Sequence, residues 1–402
     1  MPSTTSSPSP SPSPSPFANP PDELWPQGAA LAPADRYLQP QVLQDLQRKM
    51  VFIGGPRQVG KTSLARRLLP THAAELNYDV APQREAILRR QLPPGDFWFF
   101  DEIHKYRGWR NYLKGLFDGR SAAQRILVTG SARLDLYRFG GDSLQGRYFY
   151  MRLHPFSVAE LGGHADALPA LLALGGFPEP LASGSQQYAR RWAQHYRERL
   201  IREEVTSLEN VSDLGRLELL ALTLPERVGS PLSLNSLRED LQVSQPTVAR
   251  WVDVLERVYG IFRLPPFGAP RLRAVKKERK HYHCDWSVVA EPGARFENLM
   301  ASHLLKWVEY QVDTQGRALE LRYFRDTDGR EVDFVIVESG RTPIALVECK
   351  LGDDAPAKGL KYLKLRFPRA AAWQVSAHGT RDYQSAEGIR VAPAVRLLRD
   401  LV

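Results

Sequence analysis

The chain has 402 residues, of which 43% are hydrophobic and 25% charged, enough for two or three separately cored domains and too apolar for a disordered protein. Its net charge of +9 favours a polyanionic partner such as nucleic acid, although a solvated basic surface gives the same figure. Cys284 and Cys349 stand far apart in no metal-ligand spacing, which argues against a disulfide scaffold and against zinc.

No apolar run reaches the ~18 residues of a membrane span, and no signal-peptide pattern is present, so a cytoplasmic location without membrane contact is expected. Residues 1–24 carry a Ser-Pro repeat that cannot build a core and read as a disordered, extended tail. From there the stretch "KMVFIGGPRQVGKTSLARRLLP" runs from an apolar strand through a glycine turn into an amphipathic helix. Within it Gly55, Pro56, Arg57, Gln58, Val59, Gly60, Lys61 and Thr62 fit G-x-x-x-x-G-K-[ST], with Ser63 next. Such a turn aims backbone N–H groups and a helix N-terminus at phosphate; Lys61 would contact the β- and γ-phosphates and Thr62 would ligate Mg²⁺.

The strand "FWFFDEI" (97–103) then ends on an acidic pair. Asp101 would hold magnesium and Glu102 would orient or deprotonate the attacking water. A helix is expected from about Trp109 to Phe117, and further strands at 125–132 and 148–153. Strands alternating with helices predict a parallel sheet covered on both faces.

These residues resemble the AAA+ ATPases. The stretches "GGPRQVGKTS", "DEIHKYRGWRNYLKGLFD", "ILVTGSARLDL", "LQGRYFYMRLHPFSVAEL" and "GGFPE" are similar to prokaryotic AAA-type ATPases that carry a C-terminal restriction-endonuclease-like domain of unknown function. The resemblance implies that Ser131 senses the γ-phosphate. It also implies that Arg147 is an arginine finger reaching a neighbour's nucleotide, which would require a homo-oligomer, plausibly a ring. Without the resemblance, Ser131 reads as a strand-terminal cap and Arg147 as an ordinary surface arginine.

Residues 187–224 read as helical and charged. In 232–260 a helix, a turn and a second helix place Leu237, Leu241, Val248, Val252 and Leu255 on apolar positions. Gln245, Thr247 and Arg250 fall at or near the start of the second helix, where a DNA-recognition helix presents side chains; a helical packing module is the competing reading. "RLPPFGAP" (263–270) marks a domain boundary, and the basic stretch "RLRAVKKERK" after it, with Lys276 and Lys277, would contact phosphates.

Two apolar runs flank a turn in "EVDFVIVESGRTPIALVECK" (331–350). Antiparallel pairing symmetric about residues 340 and 341 sets Asp333 opposite Glu348 and Glu331 opposite Lys350. Val332, Phe334, Val347 and Cys349 would then form the buried side, and Asp333, Glu348 and Lys350 would share the other face. Paired carboxylates suit Mg²⁺ or Mn²⁺, with Lys350 positioning a water. The spacing resembles the PD-(D/E)XK nuclease signature, which implies a further metal ligand at Glu297; Val332 departs from the proline in the signature's name. A surface salt-bridge hairpin is the bland alternative.

The expected architecture is therefore α/β: a disordered tail (1–24), an AAA+ ATPase domain (25–160), a helical lid or connector (161–225), a winged-helix-like domain (226–270) and a nuclease-like domain (271–402). ATP and Mg²⁺ are the expected cofactors and DNA the expected partner. Three functions stay open: ATP-driven DNA processing with metal-dependent cleavage, a DNA motor or binder with an inactive nuclease-like domain, and a nucleotide-switched protein-interaction module.

Overall fold

The computed structural model describes residues 35–70, 73–130, 144–206, 213–268 and 278–402. Five strands, β1 (Met50–Gly54), β2 (Ala74–Asn77), β3 (Phe97–Asp101), β4 (Arg125–Thr129) and β5 (Tyr148–Arg152), form an all-parallel sheet in the order β2-β3-β4-β1-β5. Every residue of β1 is buried, as a strand covered on both faces requires. Val51 and Ile53 face one core with Phe97 and Phe99, while Met50 and Phe52 face another with Phe100 and Tyr112. Because β4 lies between β1 and β3, the glycine turn after β1 and the acidic end of β3 flank one crevice at the carboxyl ends of the strands, where open α/β sheets bind ligands.

A helical section follows. The helix Gln186–Arg199 continues into a π-helical turn at Leu200–Val205, and Leu234–Leu241 with Gln245–Arg257 form the expected helix pair. Ser244 caps the second helix, accepting from the Thr247 N–H at 3.3 Å. Leu237, Leu241, Val248, Val252 and Leu255 are all buried, and Trp251 is core. The two strands β6 (Ile261–Leu264) and β7 (Lys280–His283) then pair antiparallel across the segment 265–279. The boundary expected at 263–270 therefore falls inside a β-pair, and the basic stretch connects its two strands.

A second sheet, in the order β12-β13-β11-β10-β9-β8, completes the chain. It comprises β8 (Leu319–Arg325), β9 (Glu331–Glu338), β10 (Thr342–Lys350), β11 (Ala371–Ser376), β12 (Tyr383–Gln384) and β13 (Arg390–Pro393). The helix Pro292–Gln315 covers one face and Lys358–Arg366 the other, so the 331–350 hairpin is not a surface element. Its pairing of Val347, Leu346 and Ala345 with Phe334, Val335 and Ile336 follows the expected register, and a shift between Pro343 and Ala345 moves Thr342 opposite Glu338. A second shift, where Arg322 pairs with Val335 but Phe324 with Val332, puts one extra residue in β9, so Val332 faces the helix Lys358–Arg366 and Phe334 faces Pro292–Gln315. Val332 and Phe334 thus belong to different layers, contrary to the alternation read from sequence. Among the described residues no helix is long and apolar enough to cross a membrane.

The helix Pro292–Gln315 also packs on β5, joining the two sheets. Arg152 on β5 donates to both Asp313 oxygens, at 2.9 and 2.7 Å, and to Glu309 at 2.5 Å. Deeper in the same contact Glu160 is held between Arg36, at 2.9 Å, and Lys306, all three nearly inaccessible. Burial alone would push the Glu160 carboxyl up, but the charges of Arg36 and Lys306 and the Lys306 hydrogen bond take it down to about 2. Lys306 is also lowered, to about 8, by burial, and Arg36's like charge adds to that against the pull of Glu160. Two cations share one carboxylate, so the downward direction at Glu160 follows from the geometry. A depressed carboxyl contributes stability above its unfolded value of 4.5 and loses it as pH falls toward the folded value. Acid titration followed by circular dichroism should therefore show stability falling between about pH 4.5 and pH 2, and Glu160→Gln should flatten that segment.

Candidate functional site

The crevice at the ends of β1 and β3 is built by backbone geometry first. Gly55 has φ +136°, and a Cβ there would lie 2.3 Å from the Leu153 carbonyl oxygen; Gly60 has φ +99° at the helix cap. The helix Lys61–Leu68 starts at the turn, so its free N–H groups and dipole point into the crevice. Lys61 is buried and donates to the Gly55 and Pro56 carbonyls at 2.9 and 2.6 Å, poised over the turn. Thr62 is half-buried and Ser63 exposed.

Thr62 Oγ1 donates to Asp101 Oδ2 at 2.9 Å, and Thr129 Oγ1, at the end of β4, donates to Asp101 Oδ1 at 2.5 Å. Asn77 Nδ2 lies 3.5 Å from Asp101 Oδ2. Burial pushes the Asp101 carboxyl up; the hydroxyls of Thr129 and Thr62 and the Lys61 charge pull it back, against the Glu102 charge. Glu102 follows in the left-handed region at φ +56°, a conformation costly for a side chain of this kind and characteristic of functional turns. Its carboxylate is 3.2 Å from Lys105 Nζ, which also pairs with Asp79 at 2.5 Å. The hydroxyl of Thr62 and the carboxylate of Asp101 are adjacent oxygen donors of the kind a hard divalent cation prefers, so these residues fit Mg²⁺ beside a bound phosphate.

Several contributors escape the sequence motifs. Arg36 donates to the Val59 carbonyl at 2.8 Å and steadies the turn from 23 residues away. Arg57 leaves the turn and pairs with Glu203 and with Glu204, the latter at 3.1 Å, on the π-helical segment. Thr129 completes the polar set on Asp101 from β4. The strand-end hydroxyl singled out in sequence, Ser131, lies outside the described residues, as do Lys276 and Lys277. Arg147 precedes β5 at the end of the sheet away from the crevice, paired with both oxygens of Asp118 at 2.7 and 3.1 Å. It cannot serve the nucleotide site of its own chain.

In the helix pair, Gln245 and Arg250 are exposed, whereas Thr247 is half-buried with its hydroxyl 2.7 Å from Ser244 Oγ. Thr247 is thus occupied in capping the helix.

The C-terminal carboxylates come near one another, with Glu297 and Asp333 bordering a cavity of about 500 Å³ that Lys350 also lines. Asp333 Oδ2 accepts from the Cys349 N–H at 2.8 Å; Glu348 Oε1 accepts from Lys350 at 2.8 Å and Oε2 from the Asp333 N–H at 3.4 Å. Glu297 Oε1 accepts from Tyr282 Oη at 2.7 Å. Glu331 pairs with Lys280 at 2.5 Å, while Lys350 pairs with Glu348 at 2.8 Å. Burial pushes the carboxyls of Glu297, Asp333 and Glu348 up, and the Asp333 charge adds to the rise at the other two. Among the described residues no three His, Cys, Asp or Glu side chains form a metal-holding group, so the expected set Glu297, Asp333 and Glu348 is not assembled as a metal site. The ammonium of Lys280 stands beside them, 3.3 Å from Glu297 and 3.9 Å from Asp333.

Residues 47–162 match the family model described as an AAA domain. That match supports a P-loop ATPase domain over these residues. Residues 165–292 and 292–397 match two domains of unknown function, DUF8612 and DUF4143. Two uncharacterized proteins, Mb2031c of Mycobacterium bovis and Rv2008c of Mycobacterium tuberculosis, are each 24% identical over 306 residues, covering 73% of this chain and 68% of theirs. Among solved structures, the Walker-type ATPase PABY2304 of Pyrococcus abyssi is 14% identical, covering 65% of this chain and 94% of that one, with a TM-score of 0.39. A signal-transduction ATPase with numerous domains and a tetratricopeptide repeat sensor, PH0952 of Pyrococcus horikoshii, is also 14% identical, covering 67% and 45%, with a TM-score of 0.21.

Proposed function

We propose that the chain is an ATP-driven switch acting on DNA: Mg²⁺–ATP is hydrolysed in the β1–β3 crevice, and the helix pair with its β6–β7 wing engages the duplex. The observation that carries the reading is the Thr62–Asp101–Thr129 hydrogen-bond chain beside Lys61, which joins the phosphate-binding turn to the acidic strand end. Magnesium, when bound with ATP, would neutralise phosphate charge, with Thr62 and Asp101 holding it. Lys61 moves its ammonium from the turn's carbonyls to the phosphates, and Glu102, released from Lys105, accepts the proton of the attacking water.

Two connections support transmission from the crevice. Arg57 ties the phosphate-binding turn to the π-helical segment leading toward the helix pair. Arg152, the register partner of Gly54, grips the helix Pro292–Gln315 through Glu309 and Asp313. Support for DNA is the net charge, the helix-turn-helix arrangement with Gln245 and Arg250 exposed, and the basic stretch linking β6 to β7. A homo-oligomer follows if Arg147, placed away from its own crevice, completes a neighbour's site. No cleavage step is assigned to the C-terminal domain.

Glu102→Gln tests the chemistry. It is expected to retain ATP binding while turnover falls by roughly 10²- to 10⁴-fold, as loss of a positioned general base does. Binding by fluorescent nucleotide and phosphate release measured together would show the split. Equal turnover in the variant would remove Glu102 from the mechanism.

A further inference from the structure

Arg36 precedes β1 and reaches the phosphate-binding turn from outside the motif. Its side chain is 6% exposed, and each guanidinium nitrogen is engaged. Nη1 donates to the Val59 carbonyl at 2.8 Å, Nε to Glu160 Oε1 at 2.9 Å, and Nη2 to the His154 carbonyl. The guanidinium carbon lies 4.1 Å from the centre of the Phe156 ring. We propose, resting on the reading of the crevice as an ATP site, that Arg36 is a positioning residue for the nucleotide. It sets the plane of the Val59–Gly60 peptide unit and so aims the Gly60 N–H at phosphate.

A planar trans peptide unit points its carbonyl and the following N–H in opposite directions. With the Val59 carbonyl held by Arg36, the Gly60 N–H points away from the guanidinium and joins the free N–H groups that open the helix Lys61–Leu68. Gly60 does not hold that plane by itself. It sits at φ +99°, and glycine is the residue with the most backbone freedom to lose. A Cβ there would lie 3.4 Å from Arg36 Nη1, so the guanidinium packs directly against the turn. Arginine suits this task because its fork is planar and rigid: Glu160 and His154 fix two nitrogens, which sets where the third points. Both anchors follow β5, and the Leu153 N–H of the same segment donates to the Gly54 carbonyl at 2.9 Å. The frame that carries Arg36 is therefore tied to β1 where the turn begins. An N–H aimed at phosphate acts on bound nucleotide before the chemical step, so its loss falls on KM more than on kcat.

The test is binding of a fluorescent ATP analogue with Mg²⁺ to the full chain, read beside phosphate release and melting temperature. Arg36→Lys keeps a cation beside Glu160 but cannot hold Glu160, His154 and Val59 in one plane. It should weaken nucleotide binding and raise KM by about tenfold, with kcat within about threefold of wild type. Lys306→Met removes the other cation from Glu160 without touching the turn, and should leave nucleotide affinity within about twofold of wild type. A folded Arg36→Lys chain that binds nucleotide like wild type overturns the proposal, and so does Lys306→Met if its loss of affinity matches that of Arg36→Lys. Where Arg36→Lys does not fold, Phe156→Leu decides, because it removes the ring beside the guanidinium and keeps every hydrogen-bond partner. Binding about threefold weaker supports the proposal, and wild-type affinity overturns it. A wild-type chain that binds no nucleotide removes the reading of the crevice and this role together; an unaffected Arg36→Lys beside a wild type that binds removes the role alone.

Discussion

Lys61→Ala is expected to lower ATP turnover by roughly a hundred- to a thousand-fold, the usual result of removing one charge-stabilising donor from a phosphoryl-transfer site. The side chain is buried and spends the nucleotide-free state on the carbonyls of Gly55 and Pro56. Truncation leaves those carbonyls facing the crevice, where water replaces the ammonium, so the stability cost should stay near about 1 kcal/mol. Turnover and melting temperature measured side by side separate the two effects. A large loss of turnover in a chain that melts like wild type assigns Lys61 to chemistry; unchanged turnover would remove the crevice from ATP hydrolysis altogether.

The largest effect on stability is expected at Glu160→Ala. That carboxylate accepts from Arg36, from Lys306 and from the N–H groups of Tyr37 and Ser157, at 3.0 and 3.2 Å for the last two. Its removal leaves two buried, unpaired cations facing each other, a defect worth about 3–5 kcal/mol. The three residues come from the start of the described chain, from the segment after β5 and from the helix Pro292–Gln315. Loss should therefore loosen the contact between the ATPase domain and that helix, not only the local fold. Denaturant unfolding should show a lowered midpoint. A second substitution, Lys306→Met, should restore part of the loss by removing one stranded charge.

How much of this was legible in the sequence depends on how local each feature is. The glycine turn after β1 and the Asp101–Glu102 pair at the end of β3 could be read because spacing and flanking apolar runs specify them within a few residues. The register of the 331–350 hairpin was also legible at its centre, since a short turn and two alternating runs determine it. The extra residue in β9 that sends Val332 to the other layer was not, because the alternating run carries no mark of where a bulge falls. Arg36, Thr129 and Lys280 escaped for a common reason. Each acts on residues far away in the chain: Arg36 on Val59 and Glu160, Thr129 on Asp101, Lys280 on Glu297, Glu331 and Asp333. Lys280 was moreover hidden in a run of basic residues whose ordinary reading is a solvated or phosphate-binding surface. Only the pairing of β6 with β7 turns that one side chain inward.

The link between the crevice and DNA is tested most directly by ATP turnover at low salt, measured with and without duplex DNA. Coupling predicts a several-fold rise with DNA that fades as salt increases, because phosphate contacts release counterions, and that is absent in Glu102→Gln. Turnover that DNA leaves unchanged at every salt concentration would contradict the coupling and direct the search toward a protein partner.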